Sequence, residues 1–310
     1  MVRLSRGIYR LRAPNPSAMT LSGTNTYIVA SGDGKAVCID PGPAMQHHID
    51  AVLVAMRELE LTLESIAVTH GHPDHAPGAE MLARITNTPV YAHPNAQFPH
   101  SDTLTDNDIL RFGQASLRAV DTPGHTFDHL SFYLEDEQAL FTGDVVLGEG
   151  TVVVAPPGGA MRPYQATLER LAKQFVQARH LYGGHGPAVD DPASKLQEYI
   201  DHRRLREKEI VLALSEKSRT IPELVRQIYA NVDAILWPAA ARQVLAYLIA
   251  LKDEGRVRSI STGQLPTADE SVILEPAWDS NVDAESAAVA QAELGAFINI
   301  QILYRYEIIS

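Results

Sequence analysis

The chain has little cysteine: Cys38 is the single one among 310 residues, so no disulfide can form within it. Any bound metal must therefore be held by histidine and carboxylate side chains. No apolar run approaches the roughly 18 to 20 residues that cross a bilayer. The first 17 residues also lack the apolar segment of a secretory signal. These absences predict a cytoplasmic protein that does not enter the membrane.

Three catalytic or nucleotide-binding motifs are missing as well. No strand-like segment is followed by G-x-G-x-x-G, which argues against a dinucleotide-binding sheet. There is no G-x-S-x-G turn for a serine nucleophile and no G-x-x-x-x-G-K-[ST] phosphate loop. The chemistry of this chain must be sought in other residues.

Charge is unevenly distributed along the chain. Hydrophobic residues make up 45% and charged residues 21%, as in soluble globular proteins, and the net charge is −12. Residues 1–194 carry 13 basic and 21 acidic side chains, residues 195–260 carry 12 and 9, and residues 261–310 carry 1 and 8. Only the middle segment could attract a polyanion, and only weakly.

The first 190 residues alternate strand-like and helix-like segments. Residues 25–30 and 35–40 form two strands joined by a Ser-Gly-Asp-Gly turn, and residues 46–60 follow with helical spacing. His47 and His48, early in that helix, are predicted to lie at the surface. Paired strands with intervening helices predict an α/β fold of two sheets covered by helices. We assign residues 1–192 to this domain.

The pattern changes after Pro187. A long charged helix covers 193–217, and a shorter helix begins near Thr220, which with Glu223 has the spacing of a capping box. A third helix ends at Gly255, and the strand VRSIST closes the segment. This order predicts a small winged-helix-like domain over residues 193–262. The acidic tail, 263–310, ends in a strand-like stretch and is left unassigned.

Four potential metal ligands fall within six residues: His70, His72, Asp74 and His75. They lie between an apolar strand and a helix, where His70 and His72 can share one face and reach one ion. Further candidates follow other strands beside glycines, namely His125 in DTPGHT, Asp144 in LFTGD and His185 in LYGGHG. Asp144 is the natural bridging ligand, because a carboxylate can contact two ions.

This order of ligands, H-x-H-x-D-H and then His, Asp and His, resembles the metallo-β-lactamase superfamily in its binuclear hydrolase form. The segments SGTNTY, GHTFDHLSF, FTGDVVLGEGT and GGHGP are similar to the β-lactamase-like protein 2 family, which adds a C-terminal winged helix. The resemblance implies an αββα sandwich. It covers residues from about 20 to 190 and does not extend to the tail. Histidine at position 72 argues against the flavo-diiron branch, which has glutamate there.

The resemblance implies two Zn²⁺ ions and a metal-bridging hydroxide, although iron or manganese would accept the same ligands. Asp74 is assigned a catalytic role besides metal binding. His129 is predicted to contact substrate or to donate a proton to the leaving group, and Asn25 to bind substrate. Asp121 or Asp128 is predicted to accept the second ring N–H of a ligand histidine.

Three functions remain open at this level. The first is hydrolysis of an ester or thioester in a small molecule, and fungal members of the similar family are thioesterases. The second is cleavage of single-stranded RNA, with Arg203, Arg204 and Arg206 as a contact patch, although a solvated helix face explains them better. The third is a ligand-sensing nucleic-acid-binding regulator. A homodimer is compatible with the apolar third helix.

Overall fold

The computed structural model describes residues 1–274 and 303–309. The chain folds into two compact units. Unit 1 comprises Met1–Val152 and Thr167–Gln197, and unit 2 comprises Val153–Ala166 and the chain from Glu198 onward.

Unit 1 contains two mixed β-sheets. The first has seven strands in chain order: β1 (Val2–Ser5), β2 (Ile8–Arg12), β3 (Asn25–Ala30), β4 (Lys35–Ile39), β5 (Thr62–Ala67), β6 (Val90–Ala92) and β7 (Asp102–Thr103). The second has five strands, running from β8 at one edge to β12 at the other: β8 (Ile109–Phe112), β9 (Ala115–Asp121), β10 (Leu130–Leu134), β11 (Ala139–Gly143) and β12 (His180–Gly183). Pairs β4–β5 and β11–β12 are parallel, and their connections contain helices.

The two sheets face each other across one apolar core. Tyr27 of β3 meets Phe141 of β11 with ring centroids 5.3 Å apart, and Phe132 of β10 belongs to the same cluster. Because strand side chains alternate, Ile28 points to the opposite face and joins a second core. That core includes residues of two helices, α1 (Gln46–Glu58) and α2 (Pro77–Thr86). Full burial of each such side chain contributes roughly 1.5–3 kcal/mol.

The second sheet is covered on its outer face. Tyr133 of β10 packs against Phe175, which follows α3 (Met161–Gln174), with ring centroids 4.7 Å apart. Unit 1 therefore has helices outside both sheets, as the αββα prediction requires.

The described part of unit 2 is mainly helical. Its elements are the latter part of α4 (Pro192–Glu216), α5 (Ile221–Ile228), a 3-10 turn (Ala234–Leu236), α6 (Trp237–Asp253), β13 (Val257–Ser261), α7 (Ala268–Leu274) and β14 (Tyr304–Ile308). Thr220 accepts from the backbone N–H of Glu223, whose carboxylate accepts from the N–H of Thr220, so the predicted capping box is present. β14 pairs antiparallel with β13. The described end of the tail thus contributes a strand, and 275–302 lie outside the described residues.

The chain divides differently from the predicted boundary at residue 192. The long helix α4 begins there, but the division between the two units falls within this helix, after Gln197. Residues 153–166 also belong to unit 2, because Val154 N–H donates to Gln243 Oε1 at 3.0 Å and Arg162 pairs with Glu254. A single boundary in the sequence cannot represent a segment that packs with a later part of the chain.

Two further expectations need correction. Residues Ala234–Asp253 do have the length and hydropathy of a membrane-spanning helix, but 67% of their most apolar window is buried within the protein. Those apolar side chains are used in packing. His48 is buried rather than at the surface, and its Nε2 lies 2.9 Å from Thr26 Oγ1.

Candidate metal centre

Seven side chains converge in two adjacent groups of histidine nitrogens and carboxylate oxygens. Within each group, one ligand atom of every residue lies within 4.8 Å of the others. The first group is His70, His72, His125 and Asp144, and the second is Asp74, His75 and His185. The structure therefore brings together all seven residues that the sequence suggested as metal ligands.

Asp144 lies between the two groups. Its Oδ1 is 3.5 Å from His75 Nε2, and its Oδ2 is 3.3 Å from His185 Nε2. The same Oδ2 is 3.9 Å from His125 Nε2, in the other group. One carboxylate can thus reach ligands of both groups, which is the placement a bridging ligand requires.

Strand ends determine where these ligands lie. The segment from His70 to His75 fills the turn between β5 and α2, and Asp144 follows β11 directly. His185 comes two residues after β12, which runs parallel to β11, so both chains leave the sheet at the same edge. A β-bridge between Thr24 and His185 ties the first sheet to this edge.

Glycine is required at two places beside the ligands. A Cβ on Gly184 would overlap Asp144 Oδ1 and lie 2.6 Å from His75 Cε1. Gly143 has a φ of +46°, and a Cβ there would lie 2.7 Å from His129 Nε2. Gly184 therefore leaves the space that two ligand side chains occupy, and Gly143 leaves the space of His129 and Thr69, which support the site.

The electrostatics of the site favour positive charge at its centre. Burial opposes protonation of His75, but the carboxylates of Asp74, Asp144 and Asp40 outweigh it and raise the pKa of His75 well above its usual value. Burial lowers the pKa of His72 to about 3, helped by His125. His72 is therefore in the neutral form that binds a cation, whereas at His75 a metal ion would replace the proton that the carboxylates attract.

Orphaned buried atoms show that the residues fit a metal. His75 Nε2 and Asp144 Oδ1 are buried, and neither has a hydrogen-bond partner among the residues that the structure describes. Such atoms are costly in a protein interior unless an ion or water satisfies them. A set of imidazoles and carboxylates, without thiolate, suits Zn²⁺ and also iron or manganese.

Comparison with known proteins identifies the family. Residues 19–185 match the metallo-beta-lactamase superfamily, and residues 220–264 match the beta-lactamase-associated winged helix domain. The chain belongs to the metallo-beta-lactamase superfamily. Together with the buried histidine and aspartate groups, this makes it a metal-dependent hydrolase. The predicted fold and the predicted C-terminal winged helix are both confirmed.

Curated relatives cover most of the chain. A beta-lactamase-like protein 2 homolog of Caenorhabditis elegans is 32% identical over 269 residues, covering 83% of this chain and 88% of the relative. An atrochrysone carboxyl ACP thioesterase of Aspergillus chevalieri is 34% identical over 239 residues, covering 74% and 75%. Among solved structures, a metallo-beta-lactamase family protein from Thermus thermophilus aligns with a TM-score of 0.70 at 23% identity, covering 83% of this chain and 97% of that one.

Asp40 is the supporting residue of this metallo-beta-lactamase site that sequence reasoning missed. Its Oδ2 accepts from Thr69 Oγ1 at 2.7 Å and lies 2.8 Å from His75 Nδ1, while its Oδ1 accepts from Thr69 N–H. It therefore orients a ligand histidine, the role predicted for Asp121 or Asp128. Its position after the apolar strand KAVCI, the setting shared by Asp144, was the available signal.

The two residues predicted in that role lie elsewhere. Asp128 Oδ2 accepts from the backbone N–H of Gly71 at 2.9 Å and so supports the turn between His70 and His72. Asp121 Oδ1 is 3.6 Å from His93 Nε2, which is not a ligand candidate.

The predicted substrate contact by Asn25 is not supported. Asn25 is fully buried, and its Nδ2 donates to the carbonyl oxygens of Gly183 and Gly186, each at 3.0 Å. Its amide thus holds the turn that carries His185. The side chain of Asn25 points into the protein and has a structural role at the start of β3.

His129 needs a similar correction. It is fully buried, its Nδ1 lies 2.8 Å from Thr122 Oγ1, and its Nε2 accepts from the backbone N–H of Asp144 at 3.1 Å. Both ring nitrogens are engaged within the protein, so the side chain cannot contact substrate or protonate a leaving group in this arrangement. It positions the backbone of Asp144 instead.

Proposed function

We propose that this chain is a binuclear zinc hydrolase that cleaves the thioester or ester bond of a small acyl substrate. The observation that carries the proposal is the position of Asp144 between two buried groups of ligand candidates. When bound, two zinc ions would supply a hydroxide nucleophile near neutral pH and stabilise the negative charge that develops on the scissile carbonyl.

The side chains of the chain have distinct parts in this proposal. His70, His72 and His125 would hold one ion, His75 and His185 the other, and Asp144 both. Asp74 would bind the second ion and accept a proton during the reaction. Thr24 Oγ1 donates to Asp74 Oδ2 at 2.6 Å and so orients this carboxylate. Asp40 would keep His75 in the orientation that binds metal.

The charges of the chain favour an acyl substrate over RNA. Residues 1–194, which carry all the ligand candidates, have 13 basic and 21 acidic side chains, so their net charge opposes a polyanion. The suggested arginine patch is also incomplete. Arg203 is buried, with its guanidinium 5.0 Å from the centre of the Tyr164 ring, and Arg206 donates to Glu209 and to the carbonyl of Ile228.

The third helix of the winged-helix unit does not support a nucleic-acid-binding regulator. Of the two basic residues of α6, Arg242 is buried and Lys252 donates to Ser259 Oγ at 3.1 Å. Phosphate recognition requires exposed basic side chains, which supply most of the non-specific affinity.

An aromatic side chain next to the ligands supports an apolar acyl group. Phe127, two residues after His125, is 45% exposed. Its carbonyl accepts from Asn95 Nδ2 at 3.4 Å, which holds the backbone of this segment. An exposed phenyl ring next to a ligand segment suits the apolar part of an acyl chain. The name of the Aspergillus relatives as ACP thioesterases points to the same bond type.

The test combines elemental analysis with parallel assays. We would measure metal content of the purified chain together with turnover of an aryl ester, an aromatic acyl thioester, an acetyl thioester and a fluorescent single-stranded RNA. The proposal expects about two zinc ions per chain and a higher kcat/KM for the aromatic acyl thioester than for the acetyl thioester.

Two variants distinguish an error in the metal site from an error in the proposed substrate class. Asp144→Ala should lose metal and turnover, whereas Asp136→Ala, an exposed carboxylate on a turn, should retain both. Cleavage of RNA without turnover of any acyl substrate would favour the ribonuclease alternative. Full activity of Asp144→Ala would overturn the metal site itself.

Composition and family resemblance also support proposals about the location and the oligomeric state of the protein. We propose a cytoplasmic location and no membrane partner, and a homodimer through apolar helix surfaces. Iron or manganese in place of zinc would be revealed by the same elemental analysis.

A further inference from the structure

Two arginines are fully buried in unit 2, and their surroundings differ. Arg203 lies over the rings of Tyr164 and Tyr199 and donates to Gln243 Oε1 at 3.2 Å. These aromatic and amide groups compensate its charge. Arg242, on α6, is 1% exposed, yet its Nε, Nη1 and Nη2 have no hydrogen-bond partner among residues 1–274 and 303–309.

An isolated guanidinium of this kind is costly. Arginine stays protonated in proteins, so burial of Arg242 buries a positive charge. Burial lowers the pKa of Arg242, and among the described residues no acidic group offsets this effect. Buried charges in proteins are nearly always paired, because an uncompensated charge in the interior is strongly destabilising. An anion beside Arg242 would compensate this charge.

The next residue offers a second donor. Gln243 Oε1 accepts from Val154 N–H at 3.0 Å as well as from Arg203, which fixes the orientation of its amide. Its Nε2 is buried and also has no hydrogen-bond partner among the described residues. The first two turns of α6 thus hold two buried donor groups that lack acceptors.

We propose that Arg242 binds an oxyanion, a carboxylate or a phosphate group of a small ligand. The planar guanidinium presents parallel N–H donors that match both kinds of oxyanion. The proposal rests on the Arg242 guanidinium, whose Nε, Nη1 and Nη2 all lack a described acceptor. This site is independent of the hydrolytic reaction proposed above, because none of the seven metal-ligand candidates takes part in it.

The test compares anions on the metal-loaded full chain. Thermal unfolding would be followed in sodium acetate and in sodium sulfate, each against sodium chloride of equal ionic strength. Arg242→Met removes the charge at similar length. Arg226→Met, an exposed arginine on α5, removes an equal charge elsewhere. Both variants leave the metal ligands intact, so anion binding at the metals cancels in the comparison.

We expect one of the anions to raise the Tm of the wild type by roughly 2–4 °C relative to chloride. Arg226→Met should keep this shift and Arg242→Met should lose it. Acetate as the effective anion indicates a carboxylate ligand, and sulfate indicates a phosphate-like one. Equal shifts in all three proteins, or no shift in the wild type, would overturn the site.

A second measurement uses only the wild type and so does not depend on whether Arg242→Met folds. Wild-type crystals soaked in sodium selenate, and separately in sodium bromoacetate, would be examined by anomalous diffraction. An anion within hydrogen-bond distance of the Arg242 guanidinium supports the proposal. Water alone, or a carboxylate of the chain itself at that position, would overturn it.

Discussion

At the scale of single residues, the site depends on the supporting carboxylate of Asp40 as well as on the metal-ligand candidates. Asp40 accepts three hydrogen bonds at the end of β4, two from Thr69 and one at His75 Nδ1. It adopts a φ of +48°, which aspartate tolerates better than most residues. A position with an unusual backbone conformation and three partners has little freedom to change.

Asp40→Asn should weaken zinc binding by about 10- to 100-fold, because an amide nitrogen would replace one acceptor of the Asp40 carboxylate. Competition with a chromogenic chelator measures this affinity. Asp136→Asn is the matched control and should bind zinc as the wild type does. Unchanged affinity in Asp40→Asn would show that His75 needs no orienting carboxylate.

A second residue-scale prediction concerns acid stability. Burial, with a smaller contribution from His47, lowers the pKa of His48 to about 4. In the unfolded chain the pKa of this histidine is near its ordinary value of about 6.5. Above pH 6.5 the imidazole is neutral in both states, and the contribution of His48 to the stability of the fold is fully present. This contribution is lost as the pH falls from about 6.5 towards 4.

The free energy of unfolding of the wild type should therefore fall more steeply from pH 6.5 to pH 5 than that of His48→Gln, by on the order of 1 kcal/mol. Glutamine can still donate to Thr26 Oγ1, so the variant mainly removes the titration. Urea unfolding of both proteins without metal measures the difference. Parallel pH profiles would contradict a buried neutral His48.

At the scale of elements, strand ends and the glycines after them determine the geometry of the site. β11 and β12 end beside each other, and Gly184 follows the second of these strands. The missing Cβ of Gly184 leaves room for Asp144 and His75 together. The motif GGH was visible in the sequence, but the atoms that need its space come from segments far away in the chain.

Gly184→Ala should therefore lose at least one of the two metals, as measured by elemental analysis after gel filtration. Gly32→Ala is the control, because a Cβ at Gly32 would meet no atom within 4 Å. It should retain full metal content. Two metals in Gly184→Ala would mean that the ligand side chains can shift to accommodate a methyl group.

At the scale of the whole molecule, metal binding should contribute to the stability of the fold. Buried carboxylates and imidazoles from both sheets of unit 1 meet at one site, and a cation would compensate their charge. A metal ion at a free concentration 100 times its Kd stabilises the folded protein by about 2.7 kcal/mol. Metal binding therefore couples to folding here.

Addition of a chelator should lower the Tm of the purified chain, and about two equivalents of zinc should restore it. Differential scanning calorimetry follows both steps. Asp144→Ala, already deficient in metal, should show little response to the chelator. A wild-type Tm that does not change although elemental analysis confirms removal of the metal would show that the site is stable without ions.

Local patterns in the sequence were sufficient for the elements and the ligand set. Two apolar segments joined by a Ser-Gly-Asp-Gly turn predicted β3 and β4, the Thr220 and Glu223 spacing predicted the capping box, and strand-end His and Asp residues predicted the ligands. These features depend on neighbours within a few residues, where periodicity and capping chemistry act. The family order of ligands also predicted the αββα fold.

Only the tertiary structure decided which polar side chains are engaged within the protein and which remain available. His129 and Asn25 resembled cleft residues in sequence, but their partners at Asp144, Gly183 and Gly186 lie far along the chain. The same holds for Asp40, which supports His75, and for Arg242, which is buried without a described partner. Hydrogen bonding and burial depend on contacts between distant segments, and those contacts exist only in the folded chain.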